Sequence, residues 1–277
     1  MLKQRVITAL LLVAVLLPAL FHPNPIWLAL LALVMVGVAF WEWCTIMGVS
    51  AWLARVGALG VCALSVLLHF ASESFEVMPW MTAAISLGWL ALFVGMGRLG
   101  LELWQKMPMS LRWLWGVLAL VATWLTIVHA KVIGVNFLLS IFCLVWVADI
   151  GAYFAGRAFG RRKLAATISP GKSWEGVAGA VMAVLLLGGL WRLLDQHMAM
   201  DAPSFFTQTW LRWGGWSVGV WMLMLAYSVM GDLFESMMKR VAGVKDSSGL
   251  LPGHGGVLDR VDALLPSLPL ALFVLTR

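Results

Sequence analysis

Nine apolar runs, spaced along almost the whole chain, leave this sequence few folds to adopt. They cover about residues 6–21, 26–40, 51–70, 78–96, 111–128, 132–155, 177–194, 213–230 and 257–276. A bilayer core offers no water to backbone N–H and C=O groups, so a spanning segment must close its own hydrogen bonds as a helix. With 62% apolar residues, 12% charged residues and a mean hydropathy of +0.94, little is left over for a water-facing domain. The expectation is an all-α polytopic membrane protein, a single integral membrane unit over residues 1–277. Pro266 and Pro269 interrupt the last run, which makes it the least regular of the nine.

The first run follows Lys3 and Arg5 as a signal peptide would, but no small-x-small cleavage site follows it. It therefore reads as a first, uncleaved membrane helix. With the N-terminus placed in the cytoplasm, 15 of the 19 Lys and Arg residues fall inside. Lys131, Arg192, Arg212 and Arg277 fall outside, with the acidic Glu73 and Glu76. The positive-inside rule then gives an N-in, C-out arrangement. It explains the +6 net charge without any nucleic-acid partner. Trp27, Trp41, Trp43, Trp113 and Trp213 flank the runs as an interfacial belt would. Cys44, Cys62 and Cys143 stand singly inside apolar runs and read as small core hydrophobes.

Nine of the 32 charged residues are concentrated between Asp232 and Asp262. Carboxylates beside lipid are costly, and such a cluster marks a functional site by default. Asp232, Glu235, Ser236 and Lys239 recur at i, i+3, i+4 and i+7, one face of the eighth helix. Gly243 supplies a stop for that helix. A loop rich in Gly, Ser, Asp and Pro follows, and its G-H-G-G lets backbone amides approach a ligand. Asp259 and Asp262 then open the last helix, where the dipole favours carboxylates. Two acidic clusters joined by a loop, with Lys239, Arg240, Lys245 and Arg260 beside them, suit Mg2+ completed by substrate phosphates. Phosphoryl or nucleotidyl transfer needs this combination of metal and cations. A zinc site is disfavoured because His254 is the sole imidazole nearby and no cysteine accompanies it. His254 itself fits a turn residue, a phosphate donor or a proton shuttle equally well.

A second region precedes this one. Asp149 shares a helix face with Tyr153 and Gly156, and reads either as a site carboxylate or as an interfacial acid paired with Arg157. Ala152, Gly156 and Gly160 would let another helix or a ligand come close. Gly171-Lys172-Ser173 resembles the end of a phosphate-binding P-loop, but the required glycine is Ala166 and no strand precedes it. Ser169-Pro170-Gly171 reads instead as a turn into the seventh helix, with Lys172 still able to meet a phosphate. The first five helices carry no motif and read as scaffold, so residues 1–130 form a scaffold part and residues 131–277 the catalytic part.

The stretch Ser236–Asp262, S-M-M-K-R-V-A-G-V-K-D-S-S-G-L-L-P-G-H-G-G-V-L-D-R-V-D, resembles the signature of the phosphatidate cytidylyltransferases, or CDP-diacylglycerol synthases. D-I-G-A-Y-F-A-G-R-A-F-G and S-P-G-K-S-W-E-G resemble a second region of that family. The close match covers roughly 146–176 and 231–262. It implies a bacterial inner-membrane enzyme of phospholipid biosynthesis, with its site facing the cytosol and open to the bilayer, that joins CTP and phosphatidate to give CDP-diacylglycerol and pyrophosphate. It further implies Asp232 and Asp259 as ligands of Mg2+, with K+ as an option beside it. Ser236, Lys239, Arg240, Lys245, Asp246, Arg260 and Asp262 would form the substrate pocket, with Asp149 contributing, in a homodimer.

Two other classes compete with this one. A transporter would also place acids in the membrane, but here the charges gather at one surface and no inverted repeat shows. A related enzyme acting on archaeol or polyprenol phosphates would share the phosphate chemistry. Cytosine selectivity rests on the resemblance alone.

Overall fold

The computed structural model describes residues 2–72 and 77–275. Glu73, Glu76 and Arg277, assigned to the outer side above, lie outside the described residues, as do the side chains of Lys3 and Arg5. The elements in order are α1 (Leu2–Phe21), α2 (Ile26–Ile46), α3 (Ala51–Ser72), α4 (Val77–Leu99), α5 (Glu102–Lys106), α6 (Met109–Ile133) and α7 (Val135–Phe159). Two short strands follow, β1 (Lys163–Ala165) and β2 (Ser169–Ser173). The chain closes with α8 (Trp174–His197), α9 (Phe205–Trp213), α10 (Ser217–Ala242), α11 (Leu258–Val261) and α12 (Leu264–Leu275). Among the described residues, seven segments are long and apolar enough to cross a bilayer: Ile26–Ile46, Ala51–Ala71, Met78–Leu99, Met109–Ile133, Val135–Phe159, Trp174–His197 and Phe205–Ala242. The chain is an all-α polytopic membrane protein.

Long-range hydrogen bonds sort the helix ends into two groups. At one end, the Thr8 hydroxyl on α1 donates to the Pro252 carbonyl, 2.9 Å, and Trp43 near the end of α2 donates to Arg112 near the start of α6, 3.2 Å. At the other, the Lys131 ammonium near the end of α6 meets the Leu20 carbonyl at the end of α1, 2.6 Å. There too Arg212 on α9 donates to the Leu275 carbonyl at the end of α12, 2.8 Å. Successive long helices therefore run in alternating directions.

The far end is pinned by carboxylates of its own. Asp201 accepts from the amides of Val135 and Asn136 (3.0 Å for Asn136), the first turn of α7. Asp195 accepts from the Asn136 side chain, 2.8 Å, and from the Ser204 amide, 2.9 Å. Asp201→Ala is expected to lose a helix cap, about 1 kcal/mol. Thermal unfolding in detergent should show the lower midpoint, with the other end of the molecule unchanged.

The last apolar run departs from expectation. It divides into α11 and α12 at Asp262, instead of forming one helix over 257–276. Pro266 explains the break: its ring would collide with the carbonyl four residues back, which belongs to Asp262, and it has no N–H to give it. Pro269 does lie inside α12 and frees the Leu265 carbonyl, yet the helix continues. The Thr123 hydroxyl of α6 stands 3.4 Å from that carbonyl, a secondary contact, since its proton goes to the Ala119 carbonyl at 2.7 Å. At 12 residues, about 18 Å, α12 alone is too short to cross. It is buried among α4, α6 and α10.

Two other expectations are corrected. Trp43 is 1% exposed and turns inward, not to an interface. It meets Trp104 and Phe234 with ring centroids 5.9 Å away in each case, and Trp89 sits 5.1 Å from Phe234. Such edge and tilted contacts stabilise an aromatic core at the site end. Trp27 and Trp213 do stay exposed. Ser169-Pro170-Gly171 is not a turn but part of β2, paired antiparallel with β1, Lys163 opposite Ser173. A proline is tolerated because a two-stranded ribbon has only edge strands. The three cysteines are free thiols.

Candidate active site

The predicted face of α10 forms as its spacing requires. The Ser236 hydroxyl lies 3.3 Å from Asp232 Oδ1, and the Lys239 ammonium reaches Glu235 one turn earlier, 2.5 Å. Gly243 ends the helix at φ +72°, a left-handed conformation that glycine adopts without a Cβ penalty. Lys239 also binds Asp259 Oδ1 across the loop, 2.5 Å. One ammonium thus lies between two carboxylates from the two ends of the signature.

Asp259 is held further by its own loop. Its Oδ2 accepts from the amides of Ser247 (2.9 Å) and Gly256 (2.7 Å) and from the Ser247 hydroxyl (2.7 Å). Burial pushes this carboxyl up, but the hydrogen bonds from Lys239 and Gly256 outweigh it and hold it at about 2. Asp262 stands at the end of α11, not in the first turn of a helix shared with Asp259, and accepts from the Ala263 amide, 2.8 Å. Burial raises its carboxyl, and the neighbouring Asp232 charge raises it further.

The hairpin between α7 and α8 delivers the other predicted cation. Lys172, on β2, places its ammonium 2.8 Å from Asp232. The strand is anchored from both sides: Arg240 Nε donates to the Ile168 carbonyl, 3.3 Å, and Ser173 caps α8 by accepting from the Gly176 amide, 3.1 Å. Glu175 collects the amides of Arg161 (3.0 Å) and Arg162 (3.1 Å), which fixes the arginine run at the helix start. The small residues of α7 do admit a close neighbour, and it is α8. A Cβ on Gly176 would stand 2.9 Å from the Ala152 carbonyl, and one on Gly151 would stand 2.9 Å from the Gly179 carbonyl. Asp149 feels the charges of Asp232, Lys172 and Arg260. Arg157 instead donates to the Tyr153 hydroxyl, 3.0 Å, so the interfacial pair with Asp149 does not form.

Asp149 precedes the end of α7 by ten residues, and Asp232 precedes the end of α10 by ten. At 1.5 Å per residue, both acids lie about 15 Å below the helix ends. Asp149 is exposed there and Asp232 half-buried, while Lys245, Asp246 and Arg260 are exposed. His254 sits on the loop with Nδ1 buried and without a hydrogen-bond partner among the described residues.

One functional residue escaped the sequence reading. Glu42, on α2, is fully buried and accepts from the amides of Val257 (3.0 Å) and Leu258 (2.6 Å). The Ser248 hydroxyl also reaches it, 2.5 Å. The signal was present, since an acid in the apolar run W-E-W-C is rarely idle. Its partners, more than 200 residues away, could not be named.

The donors fit a hard dication on two observations. Asp232 and Asp259 each pair with a lysine ammonium, so both carboxylates already face positive charge. Glu235 Oε1 is buried with no partner among the described residues, a carboxylate oxygen left over beside the Lys239–Asp259 pair. No three His, Cys, Asp or Glu side chains converge as a complete cage among the described residues. Mg2+ commonly takes one or two carboxylates and completes its shell with substrate phosphates and water.

The sequence model of the cytidylyltransferase family matches residues 3–277. This chain belongs to the cytidylyltransferase family. It is 36% identical to the phosphatidate cytidylyltransferase of Haemophilus influenzae, over 97% of this chain and 96% of that one. It is 38% identical to the phosphatidate cytidylyltransferase of Pseudomonas aeruginosa, over 97% and 95%. The enzyme of that name from Bacillus subtilis is 35% identical over 51% of this chain.

Proposed function

We propose that this protein transfers a cytidylyl group from CTP to phosphatidate, giving CDP-diacylglycerol and pyrophosphate. The observation that carries the reading is that Asp232 and Asp259 are each neutralised by a lysine from a different segment, Lys172 on β2 and Lys239 on α10. An oxygen of the lipid phosphate attacks the α-phosphorus of CTP, and the bond from that phosphorus to the bridging oxygen of the β-phosphate breaks. The nucleophile is already an anion, so no strong base is required. The obstacle is repulsion between two polyanions. Lys172 and Lys239, paired with the site carboxylates, offset that charge, and Arg240, Lys245 and Arg260 add further positive charge for the nucleotide. Ser236, Asp246 and His254 supply polar contacts to the substrates, and Asp262 and Asp149 hold the local charge balance. Asp232 and Asp259 would hold Mg2+, which supplies charge neutralisation on the transferred phosphate.

In this reading α1 and α12 complete nine crossings, the N-terminus lies in the cytosol, and the site faces the cytosolic side of the bacterial inner membrane. The high density of Lys and Arg at that end supports the orientation. The enzyme works as a homodimer, as the family resemblance implies. Purified protein given labelled CTP and a panel of lipid phosphates should convert phosphatidate in a Mg2+-dependent reaction that releases pyrophosphate. Preference for an archaeol or polyprenol phosphate, or transport without CTP consumption, would overturn the assignment.

A further inference from the structure

We infer that Glu42 is a positioning residue for the transfer, acting from α2 on the loop and helix that carry Asp259 and Arg260. The inference rests on the proposed cytidylyl transfer for its kinetic consequence and on geometry alone for its structural one.

The segment Ser247–Leu258 is clamped between two carboxylates. Asp259 takes the amides of Ser247 and Gly256. Glu42 takes the next two, Val257 through Oε1 and Leu258 through Oε2. Three consecutive N–H groups are thereby distributed over acids from opposite ends of the chain. The Ser247 hydroxyl stands between them, 2.7 Å from Asp259 Oδ2 and 3.4 Å from Glu42 Oε2. Its one proton serves the nearer acid, and the farther contact is the weaker. Gly256 makes the approach possible: a Cβ there would meet the Glu42 carboxyl carbon at 2.7 Å and collide with the Ser247 hydroxyl.

The position demands an acceptor at both oxygens. Each Glu42 oxygen accepts from a backbone amide that cannot turn away, so the NH2 of a glutamine would face one of those N–H groups. Glu42 is 0% exposed, so water cannot repair the mismatch. α11 is only four residues long, and its start is fixed by these two bonds together with the burial of Val257 and Leu258. Thr8 adds a third tie by donating to the Pro252 carbonyl, 2.9 Å. The helices read as scaffold therefore form the rear wall that sets where Asp259 points.

The test compares Glu42→Gln with Asp201→Ala, which loses a carboxylate cap at the opposite end of the molecule. Three quantities are read on each: kcat and KM for CTP, the Mg2+ concentration giving half-maximal rate, and hydrogen–deuterium exchange over residues 246–262 in metal-free protein. Glu42→Gln is expected to lose on the order of 10- to 100-fold in kcat/KM for CTP, the size typical of groups that orient a metal site from outside it. Its Mg2+ requirement should rise several-fold, and exchange should quicken at Val257 and Leu258. Asp201→Ala should leave all three unchanged. Equal kinetic losses in both variants would reduce Glu42 to a stability role and overturn the inference. Unchanged exchange in Glu42→Gln would overturn it as well. Should Glu42→Gln fail to fold, Ser248→Ala removes one donor and keeps the carboxylate. It must then show the same changes at smaller size, and wild-type behaviour there sinks the idea. If the wild-type protein ignores CTP, the functional proposal fails while the exchange comparison still decides whether Glu42 holds the loop.

Discussion

Asp259→Asn is expected to abolish CTP-dependent product formation while the protein still inserts and purifies normally. The substitution removes the charge that pairs with Lys239, 2.5 Å away, and leaves that ammonium with Glu235 alone. It also turns one acceptor oxygen into an NH2. Oδ2 serves three donors, from Ser247 and Gly256, so an amide nitrogen there would oppose all of them. An amide placed the other way would oppose Lys239. A loss on the order of 100- to 1,000-fold or more follows, comparable to deleting one preorganised group that stabilises transition-state charge. Initial rates with saturating CTP and phosphatidate in detergent micelles check it. Near-normal turnover would remove Asp259 from the metal site and from the chemistry.

Gly231→Val should fail at an earlier stage, in folding. Gly231 is where α10 crosses the break between α11 and α12. A Cβ there would collide with the Asp262 carbonyl and lie 2.9 Å from Pro266 Cδ and 3.0 Å from Ala263 Cα. Two of those three neighbours are backbone atoms and the third is a proline ring, so none can move aside cheaply. Overpacking of this kind costs about 1–3 kcal/mol or more, and it forces apart Asp232 and Asp262, which lie on either side of the contact. Both the unfolding midpoint and activity should fall. Gly219→Ala is the control on the same helix, because nothing lies within 4 Å of its added carbon. If Gly231→Val behaves like Gly219→Ala, the α10–α12 crossing is looser than described.

What the sequence made legible was local. The face carrying Asp232, Glu235, Ser236 and Lys239 could be read because a helix repeats every few residues, and Gly243 marked its end. The apolar runs located all the long helices for the same reason. Pairings across the fold were out of reach. Nothing in the spacing joins Lys172 to Asp232, since a hairpin folded from S-P-G-K-S was taken for a turn. Trp43 was assigned to the interface because flanking tryptophans usually lie there; its inward turn depends on Trp104 and Phe234 from other helices. The break at Asp262 could have been derived, because Pro266 stands four residues beyond it, but the prolines were read as weakening the whole run. Glu42 needed tertiary structure outright.

The same Glu42 bears on how the chain is made. It enters the membrane with α2, and the donors that satisfy it are synthesised 206 to 216 residues later. Until then a carboxylate belongs to a helix that is otherwise apolar, near its site-side end, where it must keep contact with water. A chain that stops short of residue 248 therefore leaves Glu42 without the donors of Ser248, Val257 and Leu258.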